Sequence, residues 1–462
     1  MTQNNIWLVI GAGTSGYGAS KLLRSLDETV FVSDSKTLAP DNYDRFDHIG
    51  AKVYRTEQGP THLSGITNIV ISPGIASDHP LLHLAQAKGI PIMSEIDLAL
   101  SHYRGQVAYV TGTNGKSTTV VMIEHFLLES GKKTVAVGNL GTTPSEVIAD
   151  GVESDQLIVE VSSYQLEQSS RVSPSISVFT SFSEDHLQRH KNIKNYFKIK
   201  WNGIRRSEIL ITTSYVIQSS IDLGIDLNTP STEVPPNQRR IVLVLDSGFE
   251  VLDGWEPAYI EDSRTEKNLI FQSNKWLLAS SRDVSFVNLI NSALATLTCS
   301  LWFSGLKITP HHLLKTFKGL PYRCQKIGTY RGLDIINDSK STNVESVLAA
   351  LSGYQNKSLL LLGGQGKGES FLPVLKLIDK IDVVFAFGKE SSKIEKEIGT
   401  AVTVRSFTTL SQAMDQVLNK ISKNPISVIF SPGCASFDEF QNFEERGLYF
   451  STRMEAMLDK NQ

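Results

Sequence analysis

The stretch that most constrains the fold is a short apolar run leading into a glycine-containing loop. It reads Val107-Ala-Tyr-Val-Thr-Gly-Thr-Asn-Gly-Lys-Ser-Thr118, and apolar residues at helical spacing follow it. The glycines let backbone N–H groups turn inward around phosphate oxygens, and Lys116 adds a positive charge. Ser117 or Thr118 can hold a magnesium ion, and the helix after them directs the positive end of its dipole to the same place. This strand, loop and helix predict a nucleotide phosphate site.

The spacing of this loop departs from the common P-loop, which has a glycine where this chain has Val110. A structural strand–turn–helix junction would explain the two glycines. It would not need Lys116 followed by two hydroxyl side chains at the start of the helix. The residues therefore favour phosphate binding over a purely structural turn.

Length and composition are typical of a globular protein with about three domains. The chain has 462 residues and a net charge of -3, so it lacks the basic excess that favours nucleic acid or anionic membranes. Its three cysteines have no metal-ligand spacing, which is typical of a reducing compartment. The first apolar run, Ile6–Ile10, is too short for an export signal or a membrane span. We therefore expect a cytoplasmic protein.

The N-terminal segment contains a second glycine loop. The predicted strand Ile6–Ile10 precedes three glycines and a helix, and the next strand ends at Asp34. This pattern is close to a dinucleotide-binding fingerprint, in which the acidic residue contacts a ribose hydroxyl. The glycines serve any pyrophosphate equally well, so the kind of nucleotide stays open. A further strand ends in Ser72-Pro-Gly74, where open α/β sheets bind ligands.

Polar side chains end the strands that follow the phosphate loop. Three successive apolar runs end in such residues: Asn139 follows the first, Glu160 lies at the end of the second, and Asp185 and His186 follow the third. Because the carboxyl ends of parallel strands gather at one edge of a sheet, we expect these side chains to converge on the phosphate loop. Residues 214–282 read instead as a β-rich accessory section with a polar insertion and no chemistry.

A third α/β segment begins near Leu320. Its strands end in Asp338-Ser-Lys-Ser-Thr-Asn343, Gly363-Gly-Gln-Gly-Lys367 and Ser431-Pro-Gly-Cys-Ala-Ser436. These residue types suit a small polar or anionic ligand. The predicted fold is therefore α/β with three domains, at residues 1–103, 104–319 and 320–462. The first and last are expected to be Rossmann-like, and the central one a parallel sheet of the P-loop ATPase type.

Together these motifs resemble the Mur ligases, the ATP-dependent enzymes that add amino acids to the peptidoglycan precursor. The resemblance covers essentially the whole chain, and the loop Thr111–Thr118 is similar to the family's own phosphate loop. The motifs beginning at Asp338 and Ser431 are most similar to those of members that add D-glutamate to UDP-N-acetylmuramoyl-L-alanine. The resemblance implies a cytoplasmic ligase that forms an amide through an acyl phosphate. It also implies a UDP-substrate domain, a central ATP domain and a C-terminal amino-acid domain.

The resemblance further implies roles for individual residues, with Lys116, His186 and Lys200 in catalysis. Implied ATP contacts are Gly112, Thr113, Asn114, Gly115, Lys116, Ser117, Thr118, Asn288, Arg323 and Asp338. Implied ligands of two Mg²⁺ ions are Ser117, Glu160, His186 and a carbamylated Lys200. Implied contacts of the UDP substrate are Thr14, Ser15, Ser35, Lys36, Ser72, Gly74 and Asn139. Implied D-glutamate contacts are Lys340, Thr342, Lys367, Ser436, Phe437 and Phe443.

Lys200 is the residue for which the two lines of reasoning differ. The residues alone favour a surface lysine in a run with Lys191, Lys194 and Lys198. The resemblance implies instead that carbon dioxide carbamylates Lys200. A carbamate beside Mg²⁺ attracts the ion, whereas an ammonium group would repel it.

The chain also departs from the family pattern. Val287 and Tyr322 stand where histidine is frequent, and Gln365 stands where an acidic residue is frequent. Three alternatives stay open: a related ligase that uses another amino acid or extends a folate tail, a nicotinamide-dependent oxidoreductase, and a non-catalytic nucleotide-binding protein. We expect small-molecule substrates, no nucleic-acid or membrane partner, and a monomer.

Overall fold

The computed structural model describes most of the chain and divides it into two compact units. The described residues are 5–34, 40–54, 63–76, 78–169, 173–229, 232–263, 265–280, 286–330, 333–354, 356–419 and 427–459. The first unit comprises residues 1–278 with 291–315, and the second comprises 279–290 with 316–462. Ser35 and Lys36, predicted to contact the UDP substrate, lie outside the described residues.

The first sheet of the first unit has five parallel strands in the order β3-β2-β1-β4-β5. The strands are β1 (Ile6–Ile10), β2 (Thr29–Ser33), β3 (Lys52–Val53), β4 (Asn68–Ile71) and β5 (Ile92–Ser94). The helices are α1 (Thr14–Ser25), α2 (Pro40–His48), α3 (Pro80–Ala87) and α4 (Glu95–Ser101). Helices cover both faces, and the central strand β1 is apolar throughout, as expected for a parallel strand that is buried on both sides. The strand order is that of a Rossmann sheet without its sixth strand, as predicted for this segment.

The second sheet has nine strands in the order β14-β13-β12-β11-β10-β9-β6-β8-β7. The strands are β6 (Gln106–Thr111), β7 (Thr134–Gly138), β8 (Gln156–Glu160), β9 (Ile176–Phe179), β10 (Ile209–Thr213), β11 (Arg239–Val244), β12 (Glu256–Asp262), β13 (Lys267–Phe271) and β14 (Asn274–Ala279). The sheet is parallel from β7 to β12, and β13 runs antiparallel to β12. The predicted accessory section therefore adds β11 to β14 to one edge of the central sheet.

Eight helices follow or cover this sheet in the described part of the chain. They are α5 (Lys116–Glu129), α6 (Pro144–Ala149), α7 (Ser163–Gln168), α8 (Leu187–His190), α9 (Ile193–Ile204), α10 (Ser214–Asp222), α11 (Phe286–Trp302) and α12 (Pro310–Thr316). Strand β6 lies between β8 and β9, so the loops after three neighbouring strands meet around the phosphate loop. This arrangement positions the candidate site.

The third sheet lies in the second unit and has six strands in the order β15-β16-β20-β17-β18-β19. The strands are β15 (Gln325–Tyr330), β16 (Leu333–Asn337), β17 (Ser358–Gly363), β18 (Ile381–Phe387), β19 (Thr403–Ser406) and β20 (Ser427–Phe430). The helices are α13 (Val344–Ser352), a 3-10 helix (Leu372–Lys380), α14 (Ser391–Ile398), α15 (Leu410–Asn419) and α16 (Phe443–Asp459). Strands β16 to β20 are parallel, and β15 runs antiparallel to β16.

The predicted α/β fold class is confirmed, with three sheets dominated by parallel strands. The predicted domain limits near residues 103 and 319 stay predictions, because the compact units number two and the first contains two sheets. Within the described ranges, the structure contains no helix whose length and apolar character would let it cross a bilayer.

A buried carboxyl group joins a helix of the first sheet to a helix of the second. Glu95, the first residue of α4, is only 2% exposed. Its Oε1 accepts the backbone N–H of Ser145 in α6 at 3.0 Å, and its Oε2 has no hydrogen-bond partner among the described residues. Burial raises the pKa of Glu95 to about 7. The folded protein therefore holds this proton more tightly than the unfolded chain does.

We predict that Glu95→Gln makes stability less dependent on pH. Between the ordinary pKa of 4.5 and about 7, the folded state binds more protons than the unfolded state. The contribution of Glu95 to the free energy of unfolding is therefore complete below pH 4.5. It falls by about 3 kcal/mol as the pH rises through 7. Glutamine stays neutral and avoids this loss. Melting temperatures of both proteins at pH 5 and pH 8 would measure the difference.

The control is Glu153→Gln, which changes a carboxylate that is 85% exposed. It should leave the pH dependence of melting close to that of the unmodified protein. A Glu95→Gln protein with an unchanged decline between pH 5 and pH 8 would contradict the role given to the buried carboxyl group.

Candidate active site

The glycines of the phosphate loop are required by the backbone and by close packing. Gly112 has φ +150° and Gly115 has φ +83°, both in the region that favours glycine. A Cβ at Gly112 would lie 2.1 Å from Thr180 Oγ1, and one at Gly115 would lie 2.8 Å from Asn291 Oδ1. The loop is therefore closely packed between the end of β9 and helix α11, and α5 begins directly after it at Lys116.

Lys116 turns back onto its own loop. Its Nζ donates to the carbonyl oxygens of Gly112 and Thr113 at 3.0 and 2.8 Å. The ammonium group therefore lies at the start of α5, beside the inward-turned backbone. A positive charge and a helix N-terminus together favour an anion at this position.

Lys200 is buried beside the same loop. It is 1% exposed, and its Nζ donates to the Gly112 carbonyl at 2.9 Å and to Thr111 Oγ1 at 3.4 Å. The ammonium also lies 4.9 Å from the centre of the Tyr196 ring. Burial, reinforced by the charge of Lys116, lowers the pKa of Lys200 well below its ordinary value. The interpretation of Lys200 as a surface lysine, which the residues alone favoured, is wrong.

Glu160 presents an unpaired carboxylate oxygen at the end of β8. The residue is 1% exposed, and its Oε1 accepts the side-chain amide of Asn139 at 3.0 Å. Its Oε2 is buried and has no hydrogen-bond partner among the described residues. A buried charge without a partner is costly, so this oxygen is suited to a cation.

His186 is oriented by its neighbour Asp185. The backbone at His186 is left-handed, with φ 56°, and its N–H donates to Asp185 Oδ1 at 2.8 Å. His186 Nε2 lies 3.5 Å from Asp185 Oδ2, and Asp185 is buried. The Tyr164 ring packs edge-on to the imidazole at 5.2 Å. A carboxylate and an aromatic ring thus fix the imidazole from two sides.

Lys116, Lys200 and His186 line one cavity of about 410 Å³ in the first unit, and Glu160 bonds Asn139 in the wall of that cavity. Its lining residues are Pro73, Gly74, Thr113, Lys116, Asn139, Ser162, Ser163, Tyr164, His186, Tyr196 and Lys200. The structure thus brings together predicted phosphate, metal and UDP-substrate residues. The described residues contain no group of three or more His, Cys, Asp and Glu side chains placed to hold a metal ion. The predicted metal set has only two such side chains, Glu160 and His186.

The N-terminal glycine loop is closed by internal hydrogen bonds. Asp34 Oδ2 accepts the backbone N–H of Ala12 at 2.7 Å, and Ser72 Oγ donates to the Gly11 carbonyl at 3.1 Å. Asp34, the expected ribose contact of a dinucleotide site, therefore supports the loop itself. Thr14 and Ser15 form the first turn of α1, directly after this loop. Their contact with a pyrophosphate stays a prediction.

In the second unit, Asp338 holds two loops together. It is 3% exposed, its Oδ1 accepts the backbone N–H of Cys324 at 3.0 Å, and its Oδ2 accepts the hydroxyl of Ser431 at 2.8 Å. Burial raises the pKa of Asp338 to about 6, and the charge of Arg323 opposes that rise. Both carboxylate oxygens are therefore used inside the protein. The predicted ATP contacts of Asp338, Arg323 and the exposed Asn288 stay predictions.

The residues predicted to bind D-glutamate lie on neighbouring loops of the second unit. Gln365 and Ala435 exchange backbone hydrogen bonds of 2.9 Å, which joins the loops after β17 and β20. Lys340 Nζ lies 5.0 Å from the centre of the Phe443 ring. Of the other predicted residues, Ser436 is buried, Phe437 is 67% exposed, and Thr342 and Lys367 are half-buried.

Arg446 is a structural centre of these loops that the sequence reasoning missed. It lies in the first turn of α16 and is 1% exposed. Its guanidinium donates to Ser339 Oγ at 3.1 Å, to the Ser339 carbonyl at 2.8 Å and to the Cys434 carbonyl at 3.0 Å. Burial lowers the pKa of Arg446 to about 10. The sequence offers one indication of this role, because an arginine stands three positions after Phe443 in the helix that follows the last motif.

We predict that Arg446→Met destabilises the second unit by about 3 kcal/mol, because two carbonyl oxygens and a hydroxyl lose a charged donor in a buried site. The matched control is Arg453→Met on the same helix, whose partner Asp415 is half-exposed. That change should cost about 0.5 kcal/mol. Urea unfolding followed by circular dichroism would compare the variants. Equal losses would contradict the role given to Arg446.

Comparison with protein families gives two matches. Residues 110–212 match the Mur ligase middle domain, and residues 5–94 match the Mur ligase MurD-like N-terminal domain. The UDP-N-acetylmuramoylalanine–D-glutamate ligase of Prochlorococcus marinus strain MIT 9515 is 31% identical, over 97% of this chain and 94% of the relative. The enzyme of the same name from strain MIT 9312 is 30% identical, over 99% of this chain and 98% of the relative.

Solved structures resemble the fold at lower identity. The UDP-N-acetylmuramate-alanine ligase of Thermotoga maritima has a TM-score of 0.59 and 16% identity, and both chains are covered completely. The bifunctional folylpolyglutamate synthase/dihydrofolate synthase of Yersinia pestis has a TM-score of 0.53 and 13% identity, over 78% of this chain and 92% of the neighbour. At these identities the likeness concerns the fold alone.

Proposed function

The chain belongs to the Mur ligase family, and on that premise we propose that it joins D-glutamate to UDP-N-acetylmuramoyl-L-alanine at the expense of ATP. The observation that best supports this class of reaction is the cavity beside the phosphate loop, which Lys116, Lys200 and His186 line. The substrate pair is supported by the relatives of about 30% identity over nearly the whole chain, which are named D-glutamate ligases. The reaction belongs to peptidoglycan synthesis, and we place the enzyme in the cytoplasm.

The proposed reaction needs an activated acid, because an amine cannot expel oxide from a carboxylate. An oxygen of the alanyl carboxylate attacks the γ-phosphorus of ATP, the bond to the bridging oxygen breaks, and ADP leaves. The resulting acyl phosphate is attacked at carbon by the D-glutamate amine, which loses a proton. Phosphate leaves as the amide forms. No side chain has to act as a nucleophile, so a covalent enzyme intermediate is not expected.

Lys116 and the N-terminus of α5 carry the electrostatic part of this proposal. Charge builds on the transferring phosphoryl group, and preorganised positive groups stabilise it. The lysine is bonded to two loop carbonyls, so its ammonium is already held at the loop. Little reorganisation is then needed when phosphate oxygens take the place of these carbonyls.

Magnesium fits the donor set around the cavity. Glu160 offers a buried oxygen that has no hydrogen-bond donor in the described part of the chain, and Ser117 begins the buried face of α5. The His186 ring nitrogen Nε2 lies 3.5 Å from Asp185 Oδ2, and the ring nitrogens of metal-binding histidines commonly have such carboxylate partners. We propose Glu160, His186 and Ser117 as the residues that would hold two Mg²⁺ ions. Bound Mg²⁺ would neutralise the charge of the phosphate oxygens.

Carbamylation of Lys200 completes the proposed metal set. The amine must lose its proton before it can attack the carbon of CO₂, and burial lowers the pKa of Lys200 well below its ordinary value. A larger fraction of this amine is therefore neutral than in an exposed lysine at the same pH. The new N–C bond and the loss of a second proton give a carbamate, whose negative charge would support an ion beside Glu160.

The D-glutamate site is proposed on the loops that Arg446 and Asp338 fix. Lys340 and Lys367 would offset the two carboxylates of the amino acid, and Thr342 and Ser436 would donate hydroxyl hydrogen bonds. Phe437 and Phe443 would cover its carbon chain. With Gln365 where an acidic residue is frequent, we propose no residue for the amine.

The deciding experiment is a substrate matrix read as phosphate release. Purified protein, Mg²⁺ and ATP are combined with UDP-N-acetylmuramoyl-L-alanine and each of D-glutamate, L-glutamate, L-lysine and glycine. We expect release only with D-glutamate, together with ADP and a lengthened acceptor. Release with a folate acceptor and L-glutamate would support the folate-type alternative. No release with any mixture would contradict the proposed function.

We predict that Lys116→Ala lowers kcat at least 1,000-fold while the melting temperature changes little, because the charge acts on the transferring phosphoryl group. The matched control is Lys133→Ala, which removes an exposed lysine just beyond the other end of α5. Its kcat should equal that of the unmodified enzyme. A near-normal rate for Lys116→Ala would contradict the assignment of the phosphate loop.

A further inference from the structure

A serine and a histidine form a buried pair at the wall of the cavity. Ser163, the first residue of α7, lines the cavity, and its Oγ lies 2.9 Å from His190 Nε2. Both residues are buried, with exposures of 2% and 3%. The pair plays no part in the reaction as described above.

The His190 ring is held in one orientation by two tyrosines. The Tyr196 ring stacks on it at 5.4 Å with an interplanar angle of 20°, and the Tyr164 ring packs edge-on at 5.4 Å. His190 Nδ1 is buried and has no hydrogen-bond partner among the described residues. Only Nε2 has a partner, so the two ring nitrogens are not equivalent.

This asymmetry decides where the proton of the neutral ring lies. A buried N–H group without an acceptor is rarer in proteins than a buried acceptor without a donor. The proton therefore belongs on Nε2, and Nδ1 carries the lone pair. Nε2–H then donates to Ser163 Oγ, and the serine hydroxyl must direct its own proton elsewhere.

The surroundings of Ser163 favour an anionic oxygen as the acceptor of that proton. The hydroxyl makes no second hydrogen bond among the described residues. The cavity that it lines also contains the ammonium group of Lys116 and the side-chain amide of Asn139. These groups are donors, so a hydroxyl donor among them matches a negatively charged ligand oxygen.

We propose that His190 is a positioning residue that orients the Ser163 hydroxyl so that it donates a hydrogen bond to a carboxylate oxygen of the acid substrate. The proposal rests on the proposed function for the identity of that acid. Ser163 would help to hold the carboxylate that is to be phosphorylated. His190 would act only through Ser163: its Nε2–H donates to Ser163 Oγ, so the serine hydroxyl directs its own proton to the substrate.

The first test concerns the ligand-free protein and does not depend on the reaction. Protein labelled with ¹⁵N-histidine is studied by long-range ¹H–¹⁵N correlation, and His190→Gln assigns the signal. We expect a neutral ring with the proton on Nε2. A proton on Nδ1 would overturn the proposal.

The second test measures the affinity for UDP-N-acetylmuramoyl-L-alanine by calorimetry and kcat/KM for the same acceptor. Ser163→Ala and His190→Phe should each weaken both about 10- to 100-fold, because the first removes the hydrogen bond to the carboxylate and the second removes the group that orients it. The double variant should lose no more than either single one, because both act on one bond. His190→Gln keeps an N–H donor near the position of Nε2 and should recover most of the loss. The KM for ATP should not change.

The matched control is His125→Phe, whose ring nitrogen bonds the Leu313 carbonyl at 3.0 Å outside the cavity. It should bind the acceptor like the unmodified protein. Multiplied losses in the double variant, or a His190→Phe protein with normal acceptor affinity, would overturn the proposal. Protein that binds the acceptor but releases no phosphate would refute the proposed reaction, and the affinities of the variants would still decide the role of Ser163.

Discussion

Two lysine ammonium groups share one backbone carbonyl, and the candidate site depends on this arrangement. Lys116 and Lys200 both donate to the oxygen of Gly112, at 3.0 and 2.9 Å. The carbonyl faces inward because Gly112 adopts a backbone that other residues rarely adopt. Two like charges so close together, with one fully buried, oppose protonation of the buried amine. The same geometry therefore keeps the charge of Lys116 at the phosphate loop and lowers the pKa of Lys200.

The second unit uses a different physical solution to hold its loops. Asp338 and Arg446 are both buried, yet they form no hydrogen bond with each other in the described structure. Each instead bonds backbone or hydroxyl groups of neighbouring loops at the carboxyl ends of β16 and β20. Hydrogen bonds to a charged group are stronger than those between neutral groups. Charged side chains thus serve as loop supports here, and Phe437 on the same loops is exposed.

The sequence predicted the sheets well, because their strands are continuous apolar runs that end in glycine or polar residues. It also predicted that Asn139, Glu160 and His186 converge, since parallel strands place their ends at one edge. The burial of Lys200 was harder to predict because several lysines surround it. The buried residues Tyr196, Phe197, Trp201 and Ile204 nevertheless mark a helical face that includes position 200. The Ser163–His190 pair joins residues 27 positions apart, and the Arg446–Ser339 contacts join residues 107 positions apart. Contacts between residues so distant in the sequence leave no local pattern in it.

The position of β6 in the central sheet divides the strands into two groups with different tolerance of sequence change: its neighbours β8 and β9, and the outer strands β11 to β14. Strands β9 and β10 lie between β6 and the four strands β11 to β14. Insertions or exchanges of residues at that outer edge can accumulate without displacing the glycines at 112 and 115. A slip of one residue in β8 or β9, in contrast, would turn every side chain of that strand to the opposite face. Lineages of this chain should therefore diverge in length at the outer strands and stay constant in length beside β6.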